Sequence, residues 1–241
     1  MGKVIMSGIV PPLVAPVTGI LASELAVGSS VYLMENGVAV EYLIVNQGKP
    51  SGSSLYDDSC DGLWILRKGI IENGQWNSNN VNTIAGSSIM KTMNGYLTMY
   101  DEKVQGAIKT VKIPYCVGGG DTTINSGANG LECKLFPLSS YEVSGIIPPA
   151  VKIDGSKLDY FIEGNGADAQ IKRQAFYNGS SAIYGLRSPN TDTNSYFALV
   201  GRTGSAMNFL DANQQFGIRP ALILSNRAVF DAETLILKGV A

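Results

Sequence analysis

Glycine and proline interrupt this sequence so often that they exclude long helices. The chain of 241 residues contains 28 glycines and 10 prolines. Both residue types mark turns and end regular elements more often than they extend them. Only short apolar runs lie between them. We therefore predict many short strands, few helices and long irregular loops.

The first half of the chain carries local signals for a small antiparallel sheet followed by two helices. Asn36 and Gly37 separate two apolar runs, which is a strong signal for a β-hairpin. The segment LWILRK at 63–68 predicts a third strand. Apolar residues then recur at helical spacing after a serine cap at position 87 or 88, and a second short helix is predicted over 101–109.

Regular patterning is lost after Pro114. A glycine-rich loop is predicted over 116–130, a strand-like piece over 131–143, and one or two helical turns within 154–177. An antiparallel meander is predicted for the last third of the chain, with strands at 181–187, 195–201, 206–211 and 217–224.

Composition excludes several classes of function. The chain has no histidine, so a Ser-His-Asp or Cys-His catalytic site cannot form. The net charge of −2 gives no electrostatic basis for binding nucleic acid or an anionic membrane, and no apolar run of the ~18 residues that span a membrane occurs. Cys60, Cys116 and Cys133 lack metal or redox spacing and are interpreted as free thiols of a protein made in a reducing cytosol.

No cofactor and no metal ion is predicted. Asp57, Asp58 and Asp61 resemble a calcium loop, but they lack the EF-hand spacing and its closing glutamate, so we favour a solvated acidic turn.

Residues 1–28 form an apolar, proline-rich segment that we interpret as an extended attachment arm preceding a head domain at 29–241. Such a segment needs a partner surface to bury Ile9, Leu13, Val14 and Val17. The alternative is an arm packed back on its own domain.

Three arginines share one local frame, in which an aromatic residue, a spacer and Leu or Ile precede Arg67, Arg187 and Arg219. We interpret them as clamps that donate to loop carbonyls and carboxylates, because irregular backbone must be satisfied by some partner. An anion site built from the three is the alternative. Since Pro220 has no N–H, the strand at Arg219 must be an edge or must change partner there.

Several segments of the chain resemble a large family of uncharacterised domains from phages and prophages of gut Gram-positive bacteria, over about residues 28–230. The segments are LWILRK, VKIPY, GANGLECKLFPLSSYEV, KLDYFIEG, YGLRSPN, SYFALVGRTG and FGIRPALIL. That family is distantly similar to the C-type-lectin-like fold, which includes formylglycine-generating enzymes and the variable tropism proteins of phages. Its members commonly carry WWLRSP where this chain has Ile183-Tyr184-Gly185 before LRSP, which implies a weaker or different ligand pocket.

The resemblance implies an α+β fold of the C-type-lectin-like kind, with small twisted antiparallel sheets, two short helices and long loops behind the arm. It does not by itself imply an activity. In lectin-like relatives the region before the GIRPAL strand presents the variable face. That face and the polar, aromatic composition of 190–215 predict a ligand-binding surface of Tyr196, Arg202, Asn208, Phe209 and Asn213.

The function expected from these features is that of a phage virion structural protein on the particle surface, made in the host cytoplasm. Its expected partners are other virion proteins of the capsid, neck or tail, further copies of itself, and a host-surface glycan or protein. A purely structural decoration or cement protein without a ligand is the alternative. An enzyme on this fold is disfavoured by the missing histidine and the unpaired cysteines.

Overall fold

The described chain forms a mixed α+β fold of small, mostly antiparallel sheets with four short α-helices. The computed structural model describes residues 17–50, 54–206 and 208–241. The helices are α1 (Ser88–Gly95), α2 (Glu102–Ala107), α3 (Ser140–Ser144) and α4 (Ala167–Arg173). None of the described helices is long and apolar enough to cross a membrane.

The strands are short, as the glycine and proline content predicts. They are β1 (Ile20–Leu21), β2 (Ser30–Glu35), β3 (Val38–Gln47), β4 (Leu63–Arg67), β5 (Asn73–Gly74), β6 (Val111–Ile113), β7 (Tyr115–Gly118), β8 (Asp121–Asn125), β9 (Leu131–Cys133), β10 (Leu135–Phe136), β11 (Ala175–Tyr177), β12 (Ser180–Ala182), β13 (Tyr184–Pro189), β14 (Tyr196–Val200), β15 (Asn208–Asp211), β16 (Phe216–Gly217), β17 (Ala221–Leu224), β18 (Ala228–Phe230) and β19 (Leu237–Val240).

Two five-stranded sheets organise the domain. One has the order β10-β17-β4-β3-β2 and the other the order β15-β14-β13-β16-β5. A three-stranded sheet, β1-β18-β19, and the pairs β6-β9, β7-β8 and β11-β12 complete the structure. The chain passes between the large sheets at Pro220, because β16 belongs to one sheet and β17 to the other. Of the two predicted alternatives, an edge strand or a change of partner, the structure shows the change of partner.

The local signals of the first half are also confirmed. Asn36 and Gly37 both have positive φ, as a tight hairpin turn requires, and they join β2 to β3. The Ser87 hydroxyl caps α1 by accepting a hydrogen bond from the Met90 amide, and Asp101 caps α2.

Three predictions of the second half are wrong. Residues 115–125 form the β7-β8 hairpin rather than an irregular loop, because Gly118, Gly119 and Gly120 all take positive φ and close a tight turn. The end of the strand-like piece is instead α3, which begins with a capping box between Ser139 and Glu142. The final meander is not wholly antiparallel, since β16 pairs in parallel with β13.

Two hydrophobic cores lie on opposite faces of the large sheets. Successive residues of β14 alternate between them, with Phe197 in the first core and Ala198 in the second. Trp76 stacks on Phe197 in the first core, with ring centroids 4.8 Å apart. Trp64 contacts Phe136 edge-on in the second. Both faces of these strands are therefore buried, which leaves loops and strand edges to form the surface.

The described part of the predicted arm packs on the head. Strand β1 pairs with β18, and Ala22 is fully buried in the first core. Val17 is half-buried, whereas Ile9, Leu13 and Val14 lie outside the described residues. Residues 17–28 thus pack against the domain predicted to begin at residue 29, and the attachment role of residues 1–16 stays a prediction.

The Arg187 guanidinium is fully buried and every one of its nitrogens donates a hydrogen bond. It binds both carboxylate oxygens of Glu142 at 2.5 and 2.6 Å. It also donates to the carbonyl oxygens of Pro114, Pro137 and Asp154 at 2.8–3.2 Å. One side chain therefore provides hydrogen-bond donors to carbonyl groups of three separate loop segments and to a carboxylate of α3.

The other two arginines of the repeated frame make similar contacts. Arg67 pairs with Glu35 at 3.0 Å and donates to the Gly69 carbonyl. Arg219 donates to the Arg67 carbonyl at 2.8 Å, and its guanidinium lies 4.9 Å from the centre of the Tyr184 ring. These contacts are those of clamps within the chain, and the three guanidinium groups do not converge on a shared open site.

Replacing each frame arginine by lysine is expected to destabilise the fold, because an ammonium group cannot reproduce the planar fork. We expect a loss of about 3 kcal/mol for Arg187→Lys and about 1–2 kcal/mol for Arg67→Lys and Arg219→Lys. The measurement is the free energy of unfolding in urea. The control is Arg227→Lys, since Arg227 is exposed; equal losses in all four variants would contradict the clamp interpretation.

Candidate ligand-binding site

The buried cluster of ionisable groups around Glu142 and Arg187 is closed to ligands. Glu142 accepts from Arg187, from the Tyr56 hydroxyl at 2.7 Å and from the Ser139 amide at 2.8 Å. Arg187 and Glu142 have no exposed surface, and Tyr56 is 3% exposed. The carboxylate has its hydrogen-bonding capacity filled by the protein. The cluster therefore holds the fold and offers no group to a ligand.

Asp154 lies at the edge of this cluster and is less well satisfied. The Ser188 hydroxyl donates to its Oδ1 at 2.8 Å, whereas its Oδ2 and the nearby Ser140 Oγ have no partner among the described residues. Burial raises the pKa of Asp154 to about 6, although Arg187 and the Ser188 hydrogen bond oppose the shift. Its proton is thus bound more tightly in the folded than in the unfolded chain.

The residues predicted for ligand binding lie on the β14-β15 strand pair and in the turns that follow each strand, and they are spread over both ends of the pair. Tyr196 pairs with Asp211 at one end of β14-β15, and the Asn213 carbonyl at that end is held by the Gln75 side chain. Phe209 lies between the ends and packs half-buried against the second core. Arg202 and Asn208 lie at the other end.

Arg202 opens into a cleft of about 220 Å³, the Arg202 cleft. Four separate segments build its walls, namely β5, the β11-β12 hairpin, the turn after β14 and the start of β16. The lining residues are Asn73, Tyr177, Ser180, Ser181, Ala182, Ile183, Arg202, Gln215 and Phe216. Of the predicted site residues, Arg202 alone contributes to it.

The turn that carries Arg202 is fixed on both sides. Its Nη1 donates to the Ser181 carbonyl at 3.0 Å, and the Ser181 hydroxyl donates back to the Arg202 carbonyl. Behind the turn, the buried Arg173 donates to the Gly204 carbonyl at 2.8 Å. Gly204 has φ +92°, and a Cβ there would lie 1.9 Å from the Gln170 carbonyl oxygen. The guanidinium is therefore presented from a rigid base.

Sequence reasoning missed the other polar groups of the cleft. Asn73, Ser180 and Gln215 are exposed, and their side chains make no hydrogen bond to the described part of the chain. The Asn178-Gly179 dipeptide is a sequence signal for a β-hairpin, and in the structure both residues have positive φ in the turn between β11 and β12. Nothing local indicated that this hairpin would face residues 73 and 215.

A second cavity, of about 250 Å³, lies between α1 and β9. Lys91, Glu132 and Lys134 line it beside Cys133, whose pKa is raised by burial. Its charged groups are long, flexible and of both signs, so they are less well positioned for a ligand than the anchored Arg202. We therefore favour the Arg202 cleft, although the α1-β9 cavity is slightly larger.

The acidic turn has ordinary local partners. The Asp57 carboxylate accepts from the Ser59 amide and Asp58 pairs with Lys49. In the described ranges no cluster of three or more candidate ligands could hold a metal ion.

The raised pKa of Asp154 predicts a pH-dependent stability. Because the folded state holds this proton more tightly, its stability falls as the pH rises from about 4 to 6. The Asp154→Asn variant lacks this titration and should gain on the order of 2–3 kcal/mol relative to the parent over that interval. Urea denaturation at several pH values measures it, with the exposed Asp159→Asn as control. A pH-independent difference between parent and Asp154→Asn would contradict the prediction.

Gly204→Ala is expected to destabilise the protein by at least ~2 kcal/mol more than Gly86→Ala. Both glycines have positive φ, so alanine suffers backbone strain at either position. Only at 204 would the new methyl group collide with a carbonyl, because nothing lies within 4 Å of a Cβ at 86. Urea denaturation compares the two variants, and similar losses would show that the turn yields.

Comparison with known proteins places the chain in a family without assigning an activity. No curated protein and no solved structure matches it. A family model matches residues 61–226, which is more than half of the chain. This region includes the Arg202 cleft and the three arginines of the repeated frame. The chain therefore belongs to the family described as a domain of unknown function (DUF6273).

Proposed function

We propose that this protein is a bacteriophage virion protein whose C-type-lectin-like head faces outward from the particle and binds a ligand on the host surface. The resemblance of its segments to phage and prophage domains supports the viral setting. The small antiparallel sheets, the two short helices α1 and α2 and the long connections are compatible with a lectin-like head.

The observation that carries the binding role is the contrast between the Arg202 cleft and the rest of the polar structure. The buried Arg187 and Arg219 and the half-buried Arg67 are hydrogen-bonded to groups of the chain itself. Asn73, Ser180 and Gln215 are instead exposed residues that line a cleft, and their polar side-chain groups have no hydrogen-bond partner in the described part of the chain. Convergent free donors and acceptors in a cleft are what a ligand site requires.

Recognition is favoured over catalysis by the state of the reactive groups. Burial raises the pKa of Cys60 to about 11 and also raises that of Cys116, which keeps both thiols protonated and poorly nucleophilic. Among the residues that the structure describes, no carboxylate lines the Arg202 cleft. Its amide, hydroxyl and guanidinium groups can hold a ligand by hydrogen bonds.

Adsorption of the purified chain to cell walls of a susceptible bacterial strain tests the proposal. Removing two cleft amides, in Asn73→Ala with Gln215→Ala, is expected to weaken adsorption roughly thirtyfold, because each of the two lost hydrogen bonds costs about 1 kcal/mol. Tyr196→Ala tests the opposite end of β14-β15. If Tyr196→Ala weakens adsorption and the double variant does not, the binding site lies at the Tyr196 end of β14-β15. If the parent protein does not adsorb at all, the binding role is contradicted and plain decoration is favoured.

Particle association is tested separately, by electron microscopy of phage particles labelled with an antibody against residues 190–215. We expect label on the outside of intact particles. Label that appears only after the particles are disrupted would contradict an outward-facing head, and no label in either case would contradict the virion assignment.

A further inference from the structure

We propose that the Arg202 cleft binds one anionic sugar unit, in which Arg202 holds a carboxylate or phosphate group and the neighbouring amides and hydroxyl hold the ring hydroxyls. This inference rests on the proposed function, because it names the ligand class of the same site.

Of the residues in the described part of the chain, Arg202 is the one charged residue that lines the cleft. It forms no ion pair within the described part of the chain, and of its five N–H donors only one, on Nη1, makes a hydrogen bond there. Its Nε and Nη2 are therefore free to donate side by side. A guanidinium edge in that state matches a carboxylate or phosphate group, which can accept two parallel hydrogen bonds.

The position of Arg202 distinguishes it from a merely solvated surface arginine. Its turn is tied to β12 by the reciprocal bonds with Ser181 and to α4 by the bond from Arg173 to Gly204. The entropy lost when a ligand orders the side chain is reduced by such anchoring. Arg227 is also exposed, but it does not line the cleft, and so it supplies a matched control.

The rest of the cleft suits a hydroxylated ring better than a bare anion. Asn73 and Gln215 each offer an amide that both donates and accepts, and Ser180 offers a hydroxyl. Tyr177, half-buried, and Phe216, buried, give the cleft an apolar wall. An apolar wall combined with neutral donors and acceptors fits a sugar, which has apolar C–H faces and hydroxyl edges.

The dimensions limit the ligand to a single unit. The cleft of about 220 Å³ is smaller than the ~300–1,000 Å³ of common small-molecule pockets. A single positive charge also argues against nucleic acid, which is bound through several phosphate contacts. The remaining units of a glycan chain would extend over the surface beyond the cleft.

The test is NMR titration of the full chain with glucuronate, glucose 6-phosphate, glucose and inorganic phosphate. We expect the two anionic sugars to shift the amide signals of Asn73, Ser180 and Gln215, and to bind at least tenfold more tightly than glucose or phosphate. The stronger of the two identifies carboxylate or phosphate as the natural group. Arg202→Gln should weaken binding roughly tenfold or more, whereas Arg227→Gln should leave it unchanged.

Equal binding of glucose and the anionic sugars would overturn the anionic part of the proposal, and phosphate binding as tightly as glucose 6-phosphate would overturn the sugar part. Equal losses in the two arginine variants would show non-specific attraction and overturn the site. If no sugar binds but cell walls still adsorb the chain, the inference fails and the proposed function stands. If an anionic sugar binds the cleft but cell walls do not adsorb the chain, the inference stands and the host-binding role fails.

Discussion

The buried ion pair between Arg187 and Glu142 is the interaction on which the loop structure depends. Removing both charges from water is costly, and that cost is offset only when every donor and acceptor is satisfied in a fixed geometry. Here the satisfaction comes from Tyr56, the Ser139 amide and three loop carbonyls. A shift in any of these segments would break a hydrogen bond and leave part of the desolvation free energy of the two charges uncompensated. The pair therefore selects one arrangement of loops among many that the apolar cores alone would tolerate.

A second buried arginine, Arg173, connects this region to the surface turn that carries Arg202. This buried side chain donates to the carbonyls of Val143, Gly164 and Gly204. It thus joins the end of α3, adjacent to the Glu142 cluster, to the turn that carries Arg202. Backbone without regular partners is stabilised here by guanidinium groups, which carry five donors each and no acceptor. The turn that carries Arg202 is therefore held in place by the same kind of buried guanidinium hydrogen bonds that stabilise the loops of the interior.

The sequence predicted what is encoded locally. The hairpin at Asn36-Gly37, the cap at Ser87 and the break at Pro220 each depend on the conformational limits of one or two residues, and all three are confirmed. Helix α3 also has a local signal, the capping box between Ser139 and Glu142, although the sequence prediction placed a strand-like piece there. The Arg202 cleft had none that could suffice, because β5 pairs with β16 across more than 140 residues of sequence and so brings together segments that share no local pattern.

The departure of this chain from the WWLRSP pattern of the domains it resembles now has a physical explanation. The large side chain expected at position 185 is replaced by glycine, and a Cβ there would lie 2.4 Å from the Phe216 ring and 3.0 Å from the Phe197 ring. These two aromatic residues occupy the space instead, and Tyr184 is buried against Arg219. Tyr184 and Gly185 are thus part of the core packing of this chain and do not line the Arg202 cleft. Within this segment, Ile183 alone lines the Arg202 cleft, so the chemistry of the cleft is set by the residues around it.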